Sequence, residues 1–273
     1  MIYSELKCYA PKKINGIIVP CGHCYACALK KSNDWQIRLK EEYETCGRRA
    51  VFVTLTYDDE HVNIKNGIRV LNKKDVQLFH KRLRHLLPEK LNYFLVSEYG
   101  PTTFRPHYHG IYFNVTMYDY EKFVSSWQHG FITMSPVTSG RIGYVAKYSL
   151  LPMNLPEEYL KDDVKPFMLV SKGMGIRYLE NSRVIDMHKF NKQLFYLDNG
   201  YKKSLPRYYR DKIFDDEQKA EFTEDFKKRC VEQTDKYWSM SKEDYDAYVK
   251  SKKDWIRQHS YEVRTRMVKK SKL

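Results

Sequence analysis

Arg105-Pro106-His107-Tyr108-His109-Gly110-Ile111-Tyr112-Phe113 is the stretch on which the reading of this chain turns. It sets two imidazoles two residues apart at the start of an apolar, aromatic run of the kind that favours strands. In a strand, alternate side chains share a face, so His107 and His109 project together while Tyr108 points the other way. Two neutral imidazoles side by side make half of a divalent-metal site. Upstream, Leu91 to Tyr99 reads as a second strand, and Gly100 to Pro106 as the loop of a hairpin. If Glu98 lies opposite His107 or His109, its carboxylate joins them on one face at one end of the sheet. Two nitrogens, one carboxylate and open positions suit a cation that holds a phosphate better than a closed structural site.

Around this hairpin the other elements follow from periodicity. Residues 33 to 46 predict a helix capped by Asn33 or Asp34, with Trp35, Leu39, Tyr43 and Cys46 on one side. Val51 to Tyr57 is a strand, and Asp58 to Val70 a polar excursion. A second helix runs from Lys73 to Leu87, with Asn72 at its N-cap, Val76, Phe79, Leu83 and Leu86 inward, and Pro88 as its stop. A helix near Tyr118 to Trp127 and a strand from Phe131 to Val137 complete the set. Residues 51 to 137 therefore read β-α-β-β-α-β. That is an α+β fold of the ferredoxin or RRM-like kind, an antiparallel sheet with helices on one face and the other left for function. Thr54 and Thr56 would then lie beside the histidine strand.

The partner of the histidine pair lies in Gly143-Tyr144-Val145-Ala146-Lys147-Tyr148, on a helix beginning around Ser139 to Arg141. Residues four apart share a helical face, so Tyr144 and Tyr148 would present their hydroxyls to one place. With 23 tyrosines in the chain, that spacing alone equally describes an aromatic pair packed on a core. A phenol, with a reference pKa of about 10, is a poor nucleophile at neutral pH. A cation on the phosphate and a nearby Lys147 would make its attack feasible.

Together, Pro106-His107-Tyr108-His109-Gly110 and Tyr144-Val145-Ala146-Lys147-Tyr148 resemble the HUH endonucleases, and within them the gokushovirus-like replication initiators of microviruses, small single-stranded-DNA phages. Val19-Pro20-Cys21-Gly22-His23-Cys24 with Cys27, Phe52 to Asp59, and Ser97-Glu98-Tyr99-Gly100 extend the resemblance in the same order. It covers roughly residues 8 to 150, with a weaker Leu205-Pro206-Arg207-Tyr208-Tyr209 later. Tyr108 only loosely fills the family's hydrophobic middle position, and Ser149-Leu150 leaves open how the tyrosine helix ends. The resemblance implies an HUH nicking domain that starts rolling-circle replication. Glu98, His107 and His109 would hold Mg²⁺ or Mn²⁺ against the scissile phosphate, and Tyr144 or Tyr148 would attack it, with Lys147 assisting. A 5′-phosphotyrosyl link and a free 3′-hydroxyl would result. The implied partners are single-stranded DNA at a replication origin and the host DNA polymerase and helicase. Two other classes stay open: a non-catalytic single-strand or RNA binder, and a metal-dependent nuclease that activates water.

Composition sets the bounds. A net charge of +14 with 15% aromatic residues suits single-stranded nucleic acid, where cations follow phosphates and rings stack on bases. No apolar stretch approaches the roughly 20 residues needed to span a bilayer, and Met1-Ile2-Tyr3-Ser4-Glu5 lacks a signal-peptide core. A soluble protein of the host cytoplasm is the expectation. Clustered cysteines there point to metal or redox chemistry more than to disulfides. Cys21, Cys24 and Cys27, with Cys8 brought back by the loop at Lys12 to Gly16, could form a structural zinc site, His23 being a substitute ligand. Plain reduced thiols are the alternative, and Cys46 and Cys230 read as isolated. Three regions are expected: a Cys-rich segment (1–32), the nicking domain (33–150), and a basic, helical extension (151–273). Within the last, Ser171 to Tyr178 reads as a flexible turn and Val268 to Leu273 as a solvated basic tail.

Overall fold

The computed structural model describes residues 8, 11–14, 17–22, 24–100, 102–148, 155–161 and 163–238, with 241–244, 246–248, 250, 251 and 254. His23, Ser149-Leu150, the basic tail, and the side chains of Tyr148 and Cys230 lie outside the described residues. A hairpin of β1 (Lys12–Ile14) and β2 (Ile17–Val19) precedes α1 (Tyr25–Thr45), β3 (Ala50–Tyr57) and a second hairpin, β4 (Ile64–Lys65) with β5 (Ile68–Arg69). Then come α2 (Lys73–Leu86), β6 (Asn92–Tyr99), β7 (Pro106–Phe113), α3 (Tyr120–Ser126), β8 (Gly130–Pro136) and α4 (Ser139–Tyr148). The remainder holds β9 (Met168–Val170), α5 (Ser182–Phe190), β10 (Phe195–Asp198), β11 (Tyr201–Ser204), α6 (Arg207–Ile213) and α7 (Asp216–Trp238). One compact unit takes in residues 31–194 and 205–213; a second takes in the described parts of 1–30, 195–204 and 214–273. Among the described residues no helix is long and apolar enough to cross a membrane.

The larger unit is a mixed α+β fold on a five-stranded antiparallel sheet of order β8-β3-β7-β6-β9. Crossing through α2 makes β3 and β6 parallel, and β7 fills the slot between them. β9 adds to the far edge of β6, a strand whose three residues are too short to announce themselves by pattern. Helix α2 begins where predicted, the Asn72 side chain accepting the N–H of Lys74. The polar excursion contains the β4–β5 hairpin, turned by Asn66 at φ 50° and Gly67 at φ 77°, the left-handed pair that a tight two-residue turn requires.

Both faces of the sheet carry helices, which corrects the expectation of helices on one face. On the first, Val51, Val53, Leu55, Leu95 and Tyr112 pack against Val76, Phe79 and Leu83 of α2 and Phe123 of α3. Leu86, at the end of α2, is exposed. On the second, Phe94, Val96, Ile111 and Phe113 pack against Ile142, Val145 and Ala146 of α4 and Leu39 of α1, with Trp35, Tyr43 and Cys46 alongside. The apolar stripe of α1 needs a partner, and the first face is already filled. The helix also starts at Tyr25 rather than Asn33, because Ala26, Ala28, Leu29, Lys30 and Lys31 continue the helical run upstream.

Buried Glu42 on α1 accepts from the Asn92 side chain and from the Gly175 N–H, both at 2.8 Å. Gly175 sits at φ 73°, its carbonyl accepts from the Tyr209 hydroxyl at 2.8 Å, and a Cβ there would meet the Arg38 carbonyl oxygen at 2.7 Å. The segment read as a flexible turn is pinned on three sides.

His80 on α2 is buried, stacks on Tyr93 at 3.8 Å, and meets the Tyr112 hydroxyl through Nε2 at 3.0 Å. Burial first, and the charge of Arg84 second, push its pKa down to about 3. The unfolded chain therefore takes up this proton first, at about pH 6.5. The neutral side chain's contribution is complete above that pH and is lost as pH falls towards 3. We expect His80 alone to cost about 2 kcal/mol of stability between pH 7 and pH 5. Urea unfolding across that range should be less pH-dependent in His80→Gln; an identical slope would assign the acid sensitivity to other groups.

Candidate active site

The site is built by strand register. Glu98 lies opposite His107 and Val96 opposite His109, while from the other side Thr54 faces His109 and Thr56 faces His107. Alternation then sets Glu98, His107, His109, Thr54 and Thr56 on one face at one end of the sheet. It is the second face, and the apolar cover of α1 and α4 lies over its other end, at Ile111 and Phe113.

His109 is held at both nitrogens. Nδ1 lies 3.0 Å from Thr54 Oγ1, and Nε2 lies 3.4 Å from Glu98 Oε2. When Nδ1–H donates to the Thr54 hydroxyl oxygen, Nε2 keeps its lone pair on the side of Glu98. Neighbouring ligands of an octahedral cation at about 2.1 Å lie about 3 Å apart, so this pair fits joint coordination. The His107 ring is 6.3 Å from that of His109. Burial pushes the His107 pKa down, the neighbouring His109 and Arg105 add to this and Glu98 opposes it. The ring is thereby kept in the neutral form that can ligate a metal.

Several residues position this trio. Arg105 donates to the Tyr57 carbonyl at 2.6 and 3.2 Å and to Asp59 at 2.7 Å, and the Gly100 N–H donates to the Arg105 carbonyl at 2.9 Å. The hairpin loop is thus tied to the end of β3 just before the histidines. A Cβ on Gly100 would sit 3.1 Å from His107 Nε2, so glycine lets that ring lie against the loop. Phe104, in the left-handed region at φ 50°, stacks on Tyr159 at 5.1 Å, a contact that offsets the cost of a bulky residue in that conformation. Behind the sheet, Tyr108 is fully buried. Its hydroxyl lies 3.0 Å from that of Tyr57 and accepts the Asn72 N–H at 2.9 Å, while Tyr57 donates to Asp75 at 2.8 Å. A hydrophobe could fill this position, but only a tyrosine also ties β7 to the cap of α2.

Helix α4 brings Tyr144 to the trio. Its half-buried ring meets His109 edge-on at 5.4 Å and Phe52 at 6.3 Å, and Phe52 stacks on His109 at 5.9 Å. The Arg141 guanidinium lies 5.5 Å over Phe52 and donates to the Pro136 carbonyl. Lys147 is exposed in the last turn and Tyr148 is the final residue of the helix. Glu98, His107, His109 and Tyr144 therefore share one end of one face. Sequence reasoning places Thr54 beside the histidines without its bond to Nδ1, and it misses Phe52 and Arg105. For Phe52 the signal is there, since it alternates in phase with Thr54.

In the smaller unit, Cys8, Cys21, Cys24 and Cys27 bring their sulfurs within 4.8 Å of one another and could bind a metal such as zinc. Among the described residues no other group of three or more potential ligands converges to that distance, so the histidine–glutamate trio is the more open arrangement. Burial, reinforced by the neighbouring cysteines, pushes the Cys27 thiol far up. Cys46 is half-buried, its thiol directed at the Tyr43 carbonyl at 3.2 Å.

Residues 50–150 match the family described as Replication-associated protein ORF2, a span that runs from β3 to just beyond α4. The chain is 30% identical to Replication-associated protein ORF2 of Spiroplasma virus 4 over 80% of its own length and 74% of that protein's. It is 29% identical to Replication-associated protein VP4 of Bdellovibrio phage phiMH2K, over 77% and 71%. With Replication-associated protein ORF4 of Chlamydia phage 1 it shares 24% identity, over 71% and 53%. No solved structure matches. The resemblance found at the histidine and tyrosine motifs thus extends through most of the chain, which belongs to the Replication-associated protein ORF2 family of microvirus replication proteins.

Proposed function

We propose that the protein is an HUH-type initiator of rolling-circle replication, which nicks and rejoins single-stranded DNA through a 5′-phosphotyrosyl intermediate. The observation that carries this reading is the edge-on contact of Tyr144 with the imidazole whose far nitrogen faces Glu98. A candidate nucleophile and a candidate cation site meet there through one side chain. The family assignment and the charge of +14 support it.

A Mg²⁺ or Mn²⁺ ion held by Glu98, His107 and His109 would supply Lewis-acid neutralisation of the scissile phosphate. Thr54 fixes the ring orientation of His109, and Arg105 holds the strand end that carries both imidazoles. The oxygen of Tyr144 or Tyr148 forms the new bond to phosphorus as the bond to the 3′-oxygen breaks, and the phenolic proton is matched by the one gained on the released 3′-hydroxyl. One phosphodiester becomes another, so rejoining by the reverse step needs no nucleotide cofactor. Lys147 lies one helical turn beyond Tyr144, where its charge can offset that of the phosphate. The freed 3′-hydroxyl would prime the host polymerase, with a host helicase separating the strands.

Covalent capture tests the nucleophiles. Incubated with circular single-stranded DNA of the genome that encodes it, and Mg²⁺ or Mn²⁺, the protein should yield an adduct that survives denaturing electrophoresis. Tyr144→Phe and Tyr148→Phe each remove one hydroxyl and keep the ring, so either alone should still nick but fail in repeated rounds, and the double variant should give no adduct. An adduct from the double variant would move the nucleophile off α4.

For the cation site, His107→Ala and His109→Ala should abolish cleavage while leaving single-strand binding within a few-fold, because phosphate contacts elsewhere supply most of the affinity. Glu98→Gln should weaken Mn²⁺ binding. Equal loss of binding and cleavage would count against the assignment.

Thr54 gives a subtler test. Thr54→Val preserves shape and removes the bond to His109 Nδ1. Mn²⁺ affinity should fall by about ten- to a hundredfold with the melting temperature unchanged, and Thr54→Ser should restore it. A Val variant with wild-type Mn²⁺ titration would free Thr54 of any positioning role.

A further inference from the structure

The four cysteines have no part in the nicking chemistry, yet they are the most convergent ligand set among the described residues. Cys21 and Cys27 sulfurs are 4.0 Å apart, and those of Cys24 and Cys8 3.8 Å. Sulfurs about 2.3 Å from a central zinc stand at tetrahedral corners with edges of ~3.8 Å, close to the spacing of these two pairs, and all four sulfurs lie within 4.8 Å of one another. A disulfide would need ~2.05 Å, about half of it. An iron–sulfur cubane is suggested by the C-x-x-C-x-x-C run. It holds a separate iron behind each cysteine, however, and so spreads the sulfurs more widely than a single shared ion does.

The surrounding backbone favours thiolates. The Cys21 N–H points at Cys8 Sγ at 3.2 Å, and the Cys24 N–H at Cys21 Sγ at 3.3 Å. Such bonds stabilise negative charge on sulfur. Cys27 lies in the first turn of α1, where the positive end of the helix dipole works against the burial that raises its thiol. Cys8 and Cys21 are buried, and Cys24, Cys27 and Phe226 of α7 pack on them. Among the described residues, the cluster of four cysteines and Phe226 itself buries little hydrocarbon, and where a local core is this small a metal commonly holds it.

We propose that Cys8, Cys21, Cys24 and Cys27 hold one Zn²⁺ in a closed tetrathiolate site that organises the smaller unit. Four protein ligands leave no open position, so the ion is structural and takes no part in cleavage. Its binding free energy contributes directly to the folding of the segments that supply the ligands. Cys8 precedes the β1–β2 hairpin and Cys27 opens α1, so one ion ties both ends of the N-terminal segment together.

Elemental analysis of the full-length protein, purified under reducing conditions without chelator, should give about one zinc per chain. That zinc should remain in a His107→Ala, His109→Ala variant and be absent from Cys21→Ser, Cys24→Ser. Cobalt exchange into the wild-type protein should produce the absorption of a tetrahedral tetrathiolate. Should the cysteine variant not fold, titration of the wild type with a mercurial should release one zinc per chain as the cluster's four thiols, of the six in the chain, react. A metal-free protein, iron with labile sulfide, or zinc that leaves with the histidines rather than the cysteines would each overturn the proposal.

Discussion

Everything at the candidate active site depends on the register of one central strand. β7 pairs with β3 on one side and β6 on the other, so its residues are fixed against two ladders at once. A slip by one residue would turn His107 and His109 to the face under α2 and α3, and Tyr108 to the face that carries Glu98. Burial prevents that slip. Tyr108 and Tyr112 are buried among the first-face core, and the Tyr108 hydroxyl is bound by Tyr57 and Asn72. The imidazoles are thus held from behind, by side chains that never approach the site.

The second face is divided along its length. Toward Phe113 it is an ordinary apolar core under α1 and α4; toward His107 it is polar and partly open, with Glu98 and His109 at 17% and 13% exposure. Tyr144 stands at the boundary, half-buried between Phe52 and His109. Packing between these two rings at the boundary orients the Tyr144 ring. It also explains why a helix carrying the candidate nucleophile should be anchored by Ile142, Val145 and Ala146 in the same core that supports the histidine strand. Motion of one against the other would disturb a shared set of contacts.

Much of this was legible in the sequence because it rests on local periodicity. Alternation at His107 and His109, the Asn72 cap and the Val76, Phe79 and Leu83 stripe each specify their element within a few residues. The place of β7 beside β3 followed from β-α-β-β-α-β, whereas the addition of β9 to the edge of β6 did not. What stayed hidden depends on contacts distant in sequence. The burial of α1 on the second face requires knowing that the first is full. The pinning of Gly175 needs Glu42, 133 residues away. Thr54 was visible as a neighbour of the histidines, but its bond to Nδ1 is a matter of rotamer and ring orientation, which no pattern of residue types encodes.

The two ligand sets raise a question of cation selectivity that geometry can answer. Imidazoles bind zinc more tightly than magnesium or manganese, so affinity alone would fill an imidazole site with zinc. Zinc favours a compact tetrahedral shell, and the four cysteines offer one, with every sulfur within 4.8 Å of the others. Glu98, His107 and His109 stand more openly and in part face solvent. A cation there must complete its shell with water or phosphate oxygens, as the larger octahedral shells of Mg²⁺ and Mn²⁺ do. With both proposed sites filled, softness of the ligands and closure of the shell would direct zinc to the thiolates. The open trio would be left to an ion that can exchange its remaining ligands for DNA.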